Sequence, residues 1–364
     1  RSGLSSCEGA EAGGWDIAQL VVADTRLALG QLGAYRREQY SQLKVIALTG
    51  SSGKTTTKEM LGSILSRLAP TLITRGNLNN DLGVPMMLLE LRKEHQYAVM
   101  ELGASHQGEI DYTSKLVQPH VAGILNIGTA HLGEFGGREG ICRAKSEIYR
   151  HILPNGVAIV PQQDDFTAEI LDAAKAHRIS TFGVGGDVYA TDVELLPQST
   201  NFSLHTPQGS SAVKLPFAGE HNVQNATAAV AFALAIGIGL EDIVQGLEQA
   251  QGAKGRLNFI QKSPYLFIDD TYNANSESVK AATDLLASYT GTRILVLGDM
   301  GELGPDARLY HEEVGIYAKQ AGINQLFTLG VLSQNASEQF HAQGAHFSSR
   351  QQLVTKLMPF LKST

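Results

Sequence analysis

The chain of 364 residues is predicted to form two successive α/β domains with mainly parallel sheets, the first of which also carries a small antiparallel sheet. Short apolar, β-branched runs alternate with helical patterns from about residue 20 to 153, and the same alternation resumes after about residue 255. Between them lies a stretch of short alternating runs without helical spacing. Hydrophobic residues make up 43% of the chain, which is ample for two packed cores.

The first element is the segment VIALTGSSGKTT, residues 45–56, which reads as strand, glycine loop and helix. Such a loop points successive backbone N–H groups at one spot, at the positive end of a helix dipole, where a polyphosphate can bind. Lys54, which we expect to be exposed, would reach the outer phosphates, and Thr55 would hold Mg²⁺. The full eight-residue pattern has glycine at position 48, where this chain has Leu48. A tight strand-to-helix turn is the alternative to this P-loop-type domain. The helical pattern that follows places five apolar residues on one face: Met60, Leu61, Ile64, Leu65 and Leu68.

Two further strands are predicted, at residues 97–100 and 121–127, and each is followed by a chemically active residue. Glu101 ends the first, and His131 lies shortly after the second. Because ligands bind at the carboxyl ends of parallel strands, Lys54, Glu101 and His131 could meet in one crevice. Glu101 with Thr55 could complete a Mg²⁺ site, or it could be a solvated glutamate at a strand end. A lone histidine is more often structural than a ligand.

The antiparallel sheet is predicted from residues 188–191, 201–204 and 212–215, with a turn at 207–209. Irregular surface loops are the alternative. An alanine-rich helix, residues 226–236, follows, and the apolar stretch around it is too short for a membrane span. Asn222 and Asn225 flank its start, where their amides could read an adenine edge or simply cap the helix.

The second, Rossmann-like domain is predicted to begin near residues 252–255, with strands at 265–268, 294–297 and 326–329. Arg256 opens it, and the first strand runs into DDTYNAN. Four polar side chains in seven residues are costly to hold unless they meet ligands, and a helix cap plus turn explains about one of them. The four are Asp269, Asp270, Asn273 and Asn275.

Composition excludes several classes of function. The net charge is −7 and no block of lysine and arginine stands out, so we expect no nucleic-acid partner and no membrane insertion. Cys7 and Cys142 suggest neither a disulfide framework nor a zinc site, which fits a cytoplasmic protein. The chain starts without methionine in a Gly/Ser/Ala-rich stretch, so we expect a fragment.

Eight motifs in order resemble the Mur ligases, the ATP-dependent amino-acid ligases of peptidoglycan synthesis. They are TGSSGKTTTKEM, GNLNNDLGVP, ELGASHQGEI, NIGTAHL, AKSEIY, GEHNVQNA, GR and DDTYNAN. Four segments point to the members that join D-alanyl-D-alanine to UDP-N-acetylmuramoyl-tripeptide: GNLNND, ELGASHQGEI, DDTYNAN and GDMGELG. The resemblance implies these two substrates, ATP and two Mg²⁺ ions as cofactors, and a monomer.

The resemblance also implies roles for individual residues. It places ATP on the phosphate loop and on a few later residues. The loop residues are Gly50, Ser51, Ser52, Gly53, Lys54, Thr55 and Thr56, and the later ones are Asn222 or Asn225, Arg256 and Asp270. It implies Thr55 and Glu101 as ligands of the first Mg²⁺, and His131 with a carbamylated Lys145 as ligands of the second, so that Lys54, His131 and Lys145 are catalytic. It implies substrate contacts from Asn77, Asn79, Asn80, Asn273 and Asn275.

The resemblance has departures and rivals. Related ligases often carry lysine at the position of Tyr272, and a basic loop expected after residue 330 is missing. We therefore expect residues 1–17 to be a remnant or linker of an amino-terminal UDP-binding domain, 18–253 the central ATP-binding domain, and 254–364 a shortened carboxy-terminal domain. The rivals are a ligase that adds a single amino acid or resembles folylpolyglutamate synthase, and a non-enzyme switch or scaffold that binds ATP.

Overall fold

A computed structural model of the chain describes residues 21–128, 135–252 and 255–361. Helix α1 (Thr25–Glu38) begins at Asp24, whose carboxylate accepts hydrogen bonds from two backbone N–H groups of the first turn. It packs along α3 (Gly83–Leu89). The approach is close because a Cβ on Gly33 would lie 2.9 Å from Pro85 Cα. Helix α1 thus lies on the outside of α3 and of α4 (Glu109–Val117).

The first sheet has six parallel strands in the order β2-β3-β1-β4-β5-β6. The strands are β1 (Lys44–Thr49), β2 (Thr71–Ile73), β3 (Tyr97–Glu101), β4 (Val121–Ile124), β5 (Val157–Pro161) and β6 (Arg178–Phe182). The predicted parallel sheet is confirmed, although β4 ends at Ile124 rather than at residue 127. The register pairs Leu48 of β1 with Glu101 of β3, so the carboxyl ends of these neighbouring strands lie level.

Helices cover both faces of this sheet, and each face has its own apolar cluster. The crossover helices are α2 (Lys54–Ser66), α4 (Glu109–Val117), α5 (Arg138–Ser146) with a 3₁₀ turn (Glu147–His151), and α6 (Thr167–Ala174). Four of the five residues predicted to line the buried face of α2 are buried, but Leu68 lies beyond its end and is exposed. The helical spacing of apolar residues in the sequence continues to Leu68, whereas the helix ends at Ser66.

The antiparallel sheet is also confirmed: β7 (Tyr189–Leu195), β8 (Thr200–Thr206) and β9 (Gly209–Leu215) pair in sequence order. It packs against α7 (Glu220–Ala235), and α8 (Leu240–Glu248) follows. Helix α7 begins six residues before the predicted start and is buried along its alanines, which allow close approach. No helix among the residues described is long and apolar enough to cross a bilayer.

The second unit begins with an antiparallel hairpin of β10 (Asn258–Lys262) and β11 (Tyr265–Asp269). Its parallel sheet contains β12 (Ile294–Leu297), β13 (Gln325–Leu329) and β14 (Gly344–Phe347). The helices are α9 (Ser276–Ala287), α10 (Ala307–Gln320), α11 (Gln334–Phe340) and α12 (Arg350–Leu357), with 3₁₀ turns at Gly304–Asp306 and Met358–Leu361. The Rossmann-like alternation is confirmed, but β11 pairs with β10 instead of joining the parallel sheet. Strand β10 was not predicted because its sequence, NFIQK, is largely polar, so the pairing with β11 was not expected.

Candidate active site

The loop between β1 and α2 is held by the segment that follows β4. Ser51 N donates to Asn126 O at 3.2 Å, and Ser52 N donates to Asn126 Oδ1 at 2.9 Å. Asn126 Nδ2 in turn donates to Ser52 O at 3.2 Å, and Ser51 Oγ accepts from Gly128 N at 2.9 Å. Sequence reasoning missed Asn126, although a polar residue directly after a buried strand was a signal. The loop is therefore shaped before any ligand binds.

Helix α2 opens toward this loop with unused donors. Gly53 is its N-cap in the left-handed conformation, with φ 76°. Within the described residues, the backbone N–H groups of Gly53, Lys54, Thr55 and Thr56 make no hydrogen bond. These groups point out of the positive end of the helix dipole, which is the arrangement that receives phosphate oxygens.

Lys54 is not the exposed side chain that we expected. It is half-buried, and its Nζ donates to Gly50 O at 2.7 Å within the loop. Burial lowers the pKa of the Lys54 amine, while the nearby Glu101 carboxylate raises it and Arg256 lowers it further. The amine thus lies at the phosphate loop, and its pKa is affected by charged side chains of both units, Glu101 and Arg256.

Glu101 is a buried carboxylate, only 2% exposed, and not a solvated residue at a strand end. Its Oε2 accepts from Thr55 Oγ1 at 3.2 Å, and its Oε1 accepts from Asn79 Nδ2 at 2.8 Å. Its own backbone N–H donates to Thr74 Oγ1. A carboxylate and a hydroxyl oxygen side by side are hard ligands, so the residues present fit a Mg²⁺ ion.

Lys58 lies one helical turn beyond Lys54, and sequence reasoning did not single it out. Its side chain is 1% exposed, and its Nζ donates to Thr74 O at 2.8 Å. The same nitrogen lies 3.1 Å from Glu59 Oε1 and 3.9 Å from Glu101 Oε2. A lysine on the buried side of α2 was the available signal, because buried lysines need anionic partners.

Lys145, on α5, is 3% exposed. Within the part of the chain that the structure describes, its side-chain amine makes no hydrogen bond or ion pair. Burial, and then the charge of Lys54, lower the pKa of the Lys145 amine well below its usual value. Two residues on, the buried Glu147 accepts from the N–H groups of Gly108 and Asp111 and so fixes the start of α4.

His131 lies outside the described residues, so its place in the site stays a prediction. Among the residues described, no three His, Cys, Asp or Glu side chains gather as a metal cluster. Among the residues described, Thr55 is the hydroxyl that lies beside the Glu101 carboxylate and could share a cation with it.

Asn222 and Asn225 lie inside α7, because the helix begins at Glu220 and its N-cap is Gly219. The capping interpretation is therefore wrong. Asn222 Nδ2 donates to Ala218 O at 2.8 Å, and its Oδ1 accepts from Asn225 Nδ2 at 3.1 Å. Asn225 abuts the phosphate loop, since a Cβ on Gly53 would lie 2.1 Å from Asn225 Oδ1.

The carboxy-terminal unit brings Arg256 to this place. Its guanidinium lies 4.3 Å from the centre of the Tyr272 ring, and Tyr272 N donates to Gly255 O at 3.0 Å. Arg256 Nε is buried without a hydrogen-bond partner in the described part of the chain. Asp270 Oδ1 accepts from Leu257 N at 3.2 Å, and burial raises the pKa of this carboxyl.

The predicted substrate asparagines fall into two groups. Asn79 meets Glu101, whereas Asn80 Oδ1 accepts from Gly83 N and Asn77 is exposed. Asn275 caps α9 in a reciprocal pair with Ser278, and Asn273 Oδ1 accepts from Ala274 N.

The DDTYNAN loop satisfies more of its own polar groups than the sequence suggested. Asp269 Oδ1 accepts from Thr271 N and Oγ1, and Asp270, Asn273 and Asn275 each accept from a nearby backbone N–H. The expectation that a cap and turn explain about one of these four side chains is therefore wrong. Their number alone is no argument for a ligand.

A cavity of about 430 Å³ lies elsewhere, at the amino ends of β1 and β3, among Arg36, Tyr40, Lys93 and His95. Two nitrogens of the Arg36 guanidinium, Nε and Nη2, donate hydrogen bonds to Leu91 O. Since ligands of parallel sheets bind at the opposite edge, this cavity is separate from the candidate site.

Two family models and several relatives match the chain. The family model of the Mur ligase middle domain matches residues 48–233, and that of the Mur ligase glutamate ligase domain matches residues 255–363. The UDP-N-acetylmuramoyl-tripeptide–D-alanyl-D-alanine ligase of Haemophilus influenzae is 45% identical over 352 residues, which are 95% of this chain and 76% of that protein.

Two solved structures are similar in fold and in sequence. A crystal structure of MurF from Acinetobacter baumannii superposes with a TM-score of 0.94 at 71% identity, covering 98% of this chain and 78% of that one. The MurF ligase of Thermotoga maritima in complex with ADP has a TM-score of 0.84 at 27% identity, covering 97% and 80%.

Proposed function

Because the chain belongs to the Mur ligase family, we propose that it joins D-alanyl-D-alanine to UDP-N-acetylmuramoyl-tripeptide at the expense of ATP, in peptidoglycan precursor synthesis. The observation that carries this proposal is the phosphate loop with its unused N–H groups beside the buried pair of Thr55 and Glu101. The relative from Haemophilus influenzae carries the same activity in its name, and the relative from Thermotoga maritima binds ADP.

The chemistry requires activation, because a carboxylate does not react with an amine at neutral pH. Transfer of the γ-phosphoryl group to the tripeptide carboxylate forms an acyl phosphate and releases ADP. The amine of D-alanyl-D-alanine then attacks the acyl carbon, a tetrahedral intermediate forms, and phosphate leaves. Positioning and neutralisation of phosphate charge supply most of the catalysis in such transfers.

The phosphate loop and Lys54 would hold the β- and γ-phosphates in this scheme. The N–H groups of residues 53–56 receive phosphate oxygens, and the Lys54 amine leaves Gly50 O for the phosphate charge. Arg256 approaches from the carboxy-terminal unit and Asn225 supports the loop from α7. Asn222 and Asp270 are assigned to the ATP site as well.

We assign the first Mg²⁺ to Thr55 and Glu101 because their oxygens are buried and adjacent. When bound, Mg²⁺ neutralises phosphate charge and favours in-line transfer. For the second ion we propose His131 and a carbamylated Lys145. What supports the carbamate is a buried amine without a counterion among the described residues, because only the neutral amine reacts with CO₂. Carbamylation converts that amine into an oxygen anion.

The domain division and the location of the reaction are part of the proposal. Residues 18–253 would act as the ATP-binding domain and residues 254–364 as the domain that completes the site. Asn77, Asn79, Asn80, Asn273 and Asn275 are assigned to the two peptide substrates. Because ATP and UDP-linked precursors are cytoplasmic metabolites, we place the reaction in the cytoplasm.

A coupled assay of phosphate release tests the function. We expect release only when ATP, UDP-muramoyl tripeptide and D-alanyl-D-alanine are all present. Equal turnover with a single free amino acid, or with a folate acceptor and glutamate, would assign the chain to another ligase reaction. ATP binding without any acceptor-dependent release would favour the switch or scaffold.

Replacement of Lys145 tests the carbamate. Lys145→Ala should lose activity, and a short carboxylate such as formate should restore part of it, because the missing group is an oxygen anion. Lys145→Met, which fills more of the buried site, is the control for a packing defect. Failure of every carboxylate to restore activity in a folded Lys145→Ala protein would contradict the carbamate.

A further inference from the structure

Lys58 is a buried cation that the proposed reaction leaves without a role. Its side chain is 1% exposed, which is rare for lysine, since a buried charge is costly unless it is paired. It lies on α2, one turn below the phosphate loop, and its amine faces the carboxylate that we assign to Mg²⁺.

Three contacts fix the Lys58 amine. It donates to Thr74 O at 2.8 Å and lies 3.1 Å from Glu59 Oε1, which anchors it between α2 and the end of β2. Its third neighbour is Glu101 Oε2, at 3.9 Å. Thr74 also accepts from Glu101 N through its hydroxyl, so the same residue holds the lysine and the glutamate in register.

The oxygen that Lys58 faces is also the oxygen that Thr55 Oγ1 meets at 3.2 Å. A cation shared by Thr55 and Glu101 would therefore lie close to a fixed positive charge. Like charges at such separations repel strongly, and the repulsion is large inside a protein where water does not screen it. The Glu101 carboxylate also raises the pKa of the Lys54 amine, which shows that the two groups are close. Lys54 is therefore a second positive charge beside the oxygens of Thr55 and Glu101.

We propose that Lys58 acts as a resident counter-ion of Glu101, which makes Mg²⁺ binding depend on the phosphates of ATP. Without nucleotide, the ammonium of Lys58, which is shared between Glu59 and Glu101, offsets part of the negative charge of Glu101, and a divalent ion gains less from that carboxylate. With ATP present, four additional negative charges outweigh the two lysines, and metal and nucleotide bind together. Lys58 is then a positioning residue, and this inference rests on the assignment of a metal to Glu101 under the proposed function.

The test measures Mn²⁺ binding by electron paramagnetic resonance, with and without a non-hydrolysable ATP analogue. The wild-type protein should bind Mn²⁺ weakly alone and tightly with the analogue. Lys58→Met removes the charge and keeps the length of the side chain. We expect it to bind Mn²⁺ at least about tenfold more tightly than wild type without nucleotide, because a repulsive charge at close range is gone.

Three further variants separate charge from structure. Lys58→Arg keeps the charge and should bind nucleotide-free Mn²⁺ as wild type does. Glu59→Gln alters the same cluster without removing the lysine and should give no gain. The double variant Lys58→Met/Glu101→Gln should lose the gained affinity, which locates the ion at Glu101 and not elsewhere.

The outcomes discriminate between the two proposals. If wild type shows no analogue-dependent Mn²⁺ site, the metal assignment at Glu101 fails and the role of Lys58 fails with it. If that site is present but Lys58→Met gains no nucleotide-free affinity, only the role of Lys58 is overturned. Should Lys58→Met not fold, Lys58→Gln, whose amide can still donate to Thr74 O, takes its place with the same expectation.

Discussion

The two polar regions of the candidate site are built in opposite ways. At the carboxyl edge of the first sheet, Glu101, Lys58, Lys145 and Asn225 are all buried, and they come from β3, α2, α5 and α7. In the DDTYNAN loop, by contrast, the four polar side chains are partly or fully exposed and bond groups of their own loop, of the first turn of α9 or of the backbone just before β10. The four are Asp269, Asp270, Asn273 and Asn275.

This difference indicates how the work is divided between the two units. Buried charges held by several elements cannot rearrange cheaply, so the first region is a preformed site. Exposed side chains that bond their own loop can exchange those bonds for a ligand at little cost. The carboxy-terminal unit is therefore the more adaptable half of the candidate site.

The strongest test of the preformed half is Lys54→Ala. We expect ATP turnover to fall more than about 100-fold, equivalent to ~2.7 kcal/mol of barrier, since the amine lies on the loop that we propose holds the phosphates. Thermal stability should change little because the side chain is only half-buried. The matched control is Lys93→Ala, an exposed lysine at the opposite edge of the sheet. Retention of activity within about tenfold would remove Lys54 from the phosphate site.

The loop itself is tested by two glycine substitutions. Gly53 and Gly108 both have left-handed backbones, with φ 76° and 87°, but only Gly53 has a neighbour, Asn225 Oδ1, in the space of a Cβ. Gly108→Ala should cost about 1 kcal/mol of stability from the backbone alone. Gly53→Ala should cost about 2 kcal/mol or more, because Asn225 must also move from Asn222. Equal costs in urea unfolding would show that Asn225 does not brace the loop.

The pH dependence of stability tests the buried Lys145. Its pKa is lowered in the folded protein, so the unfolded chain binds more protons at pH values between the lowered and the ordinary pKa, 10.5. The free energy of unfolding should therefore rise with pH through that window, and the penalty persists below it. Lys145→Met should be more stable than wild type at neutral pH in CO₂-free buffer, because the substitution removes the penalty of burying the charge.

That stability gain should shrink as the pH rises toward 10.5 and disappear above it, where the wild-type amine is neutral in both states. Urea unfolding of both proteins at several pH values measures it. A gain that stays constant with pH would mean that packing, and not charge, separates the two proteins.

The adaptable half should show the smallest effect. Tyr272→Leu removes the ring beneath Arg256 and should raise the KM for ATP about threefold, in line with ~0.5–1 kcal/mol for an exposed cation–π contact. Tyr272→Phe keeps the ring and should behave as wild type. An unchanged KM in Tyr272→Leu would show that Arg256 does not depend on the ring.

The sequence by itself determined the alternating α/β order, the phosphate loop and the positions of Glu101 and Lys145 after or within predictable elements. These features depend on local periodicity and on short motifs, which a single chain displays directly. The carboxyl ends of neighbouring parallel strands lie at the same edge of a sheet. It was therefore predictable that Lys54 and Glu101, which follow two such strands, lie close together.

Only the tertiary structure decided which polar groups are buried and what satisfies them. Periodicity did not reveal Lys58 under Glu101, Asn126 on the loop or Asn225 against Gly53, because each contact joins elements distant in sequence. Periodicity also did not show that backbone N–H groups in and beside the DDTYNAN loop donate to its polar side chains. Those bonds depend on the backbone dihedral angles of the loop, which periodicity does not report. The physical reason is that burial and hydrogen-bond satisfaction are properties of the packed chain and not of any segment in it.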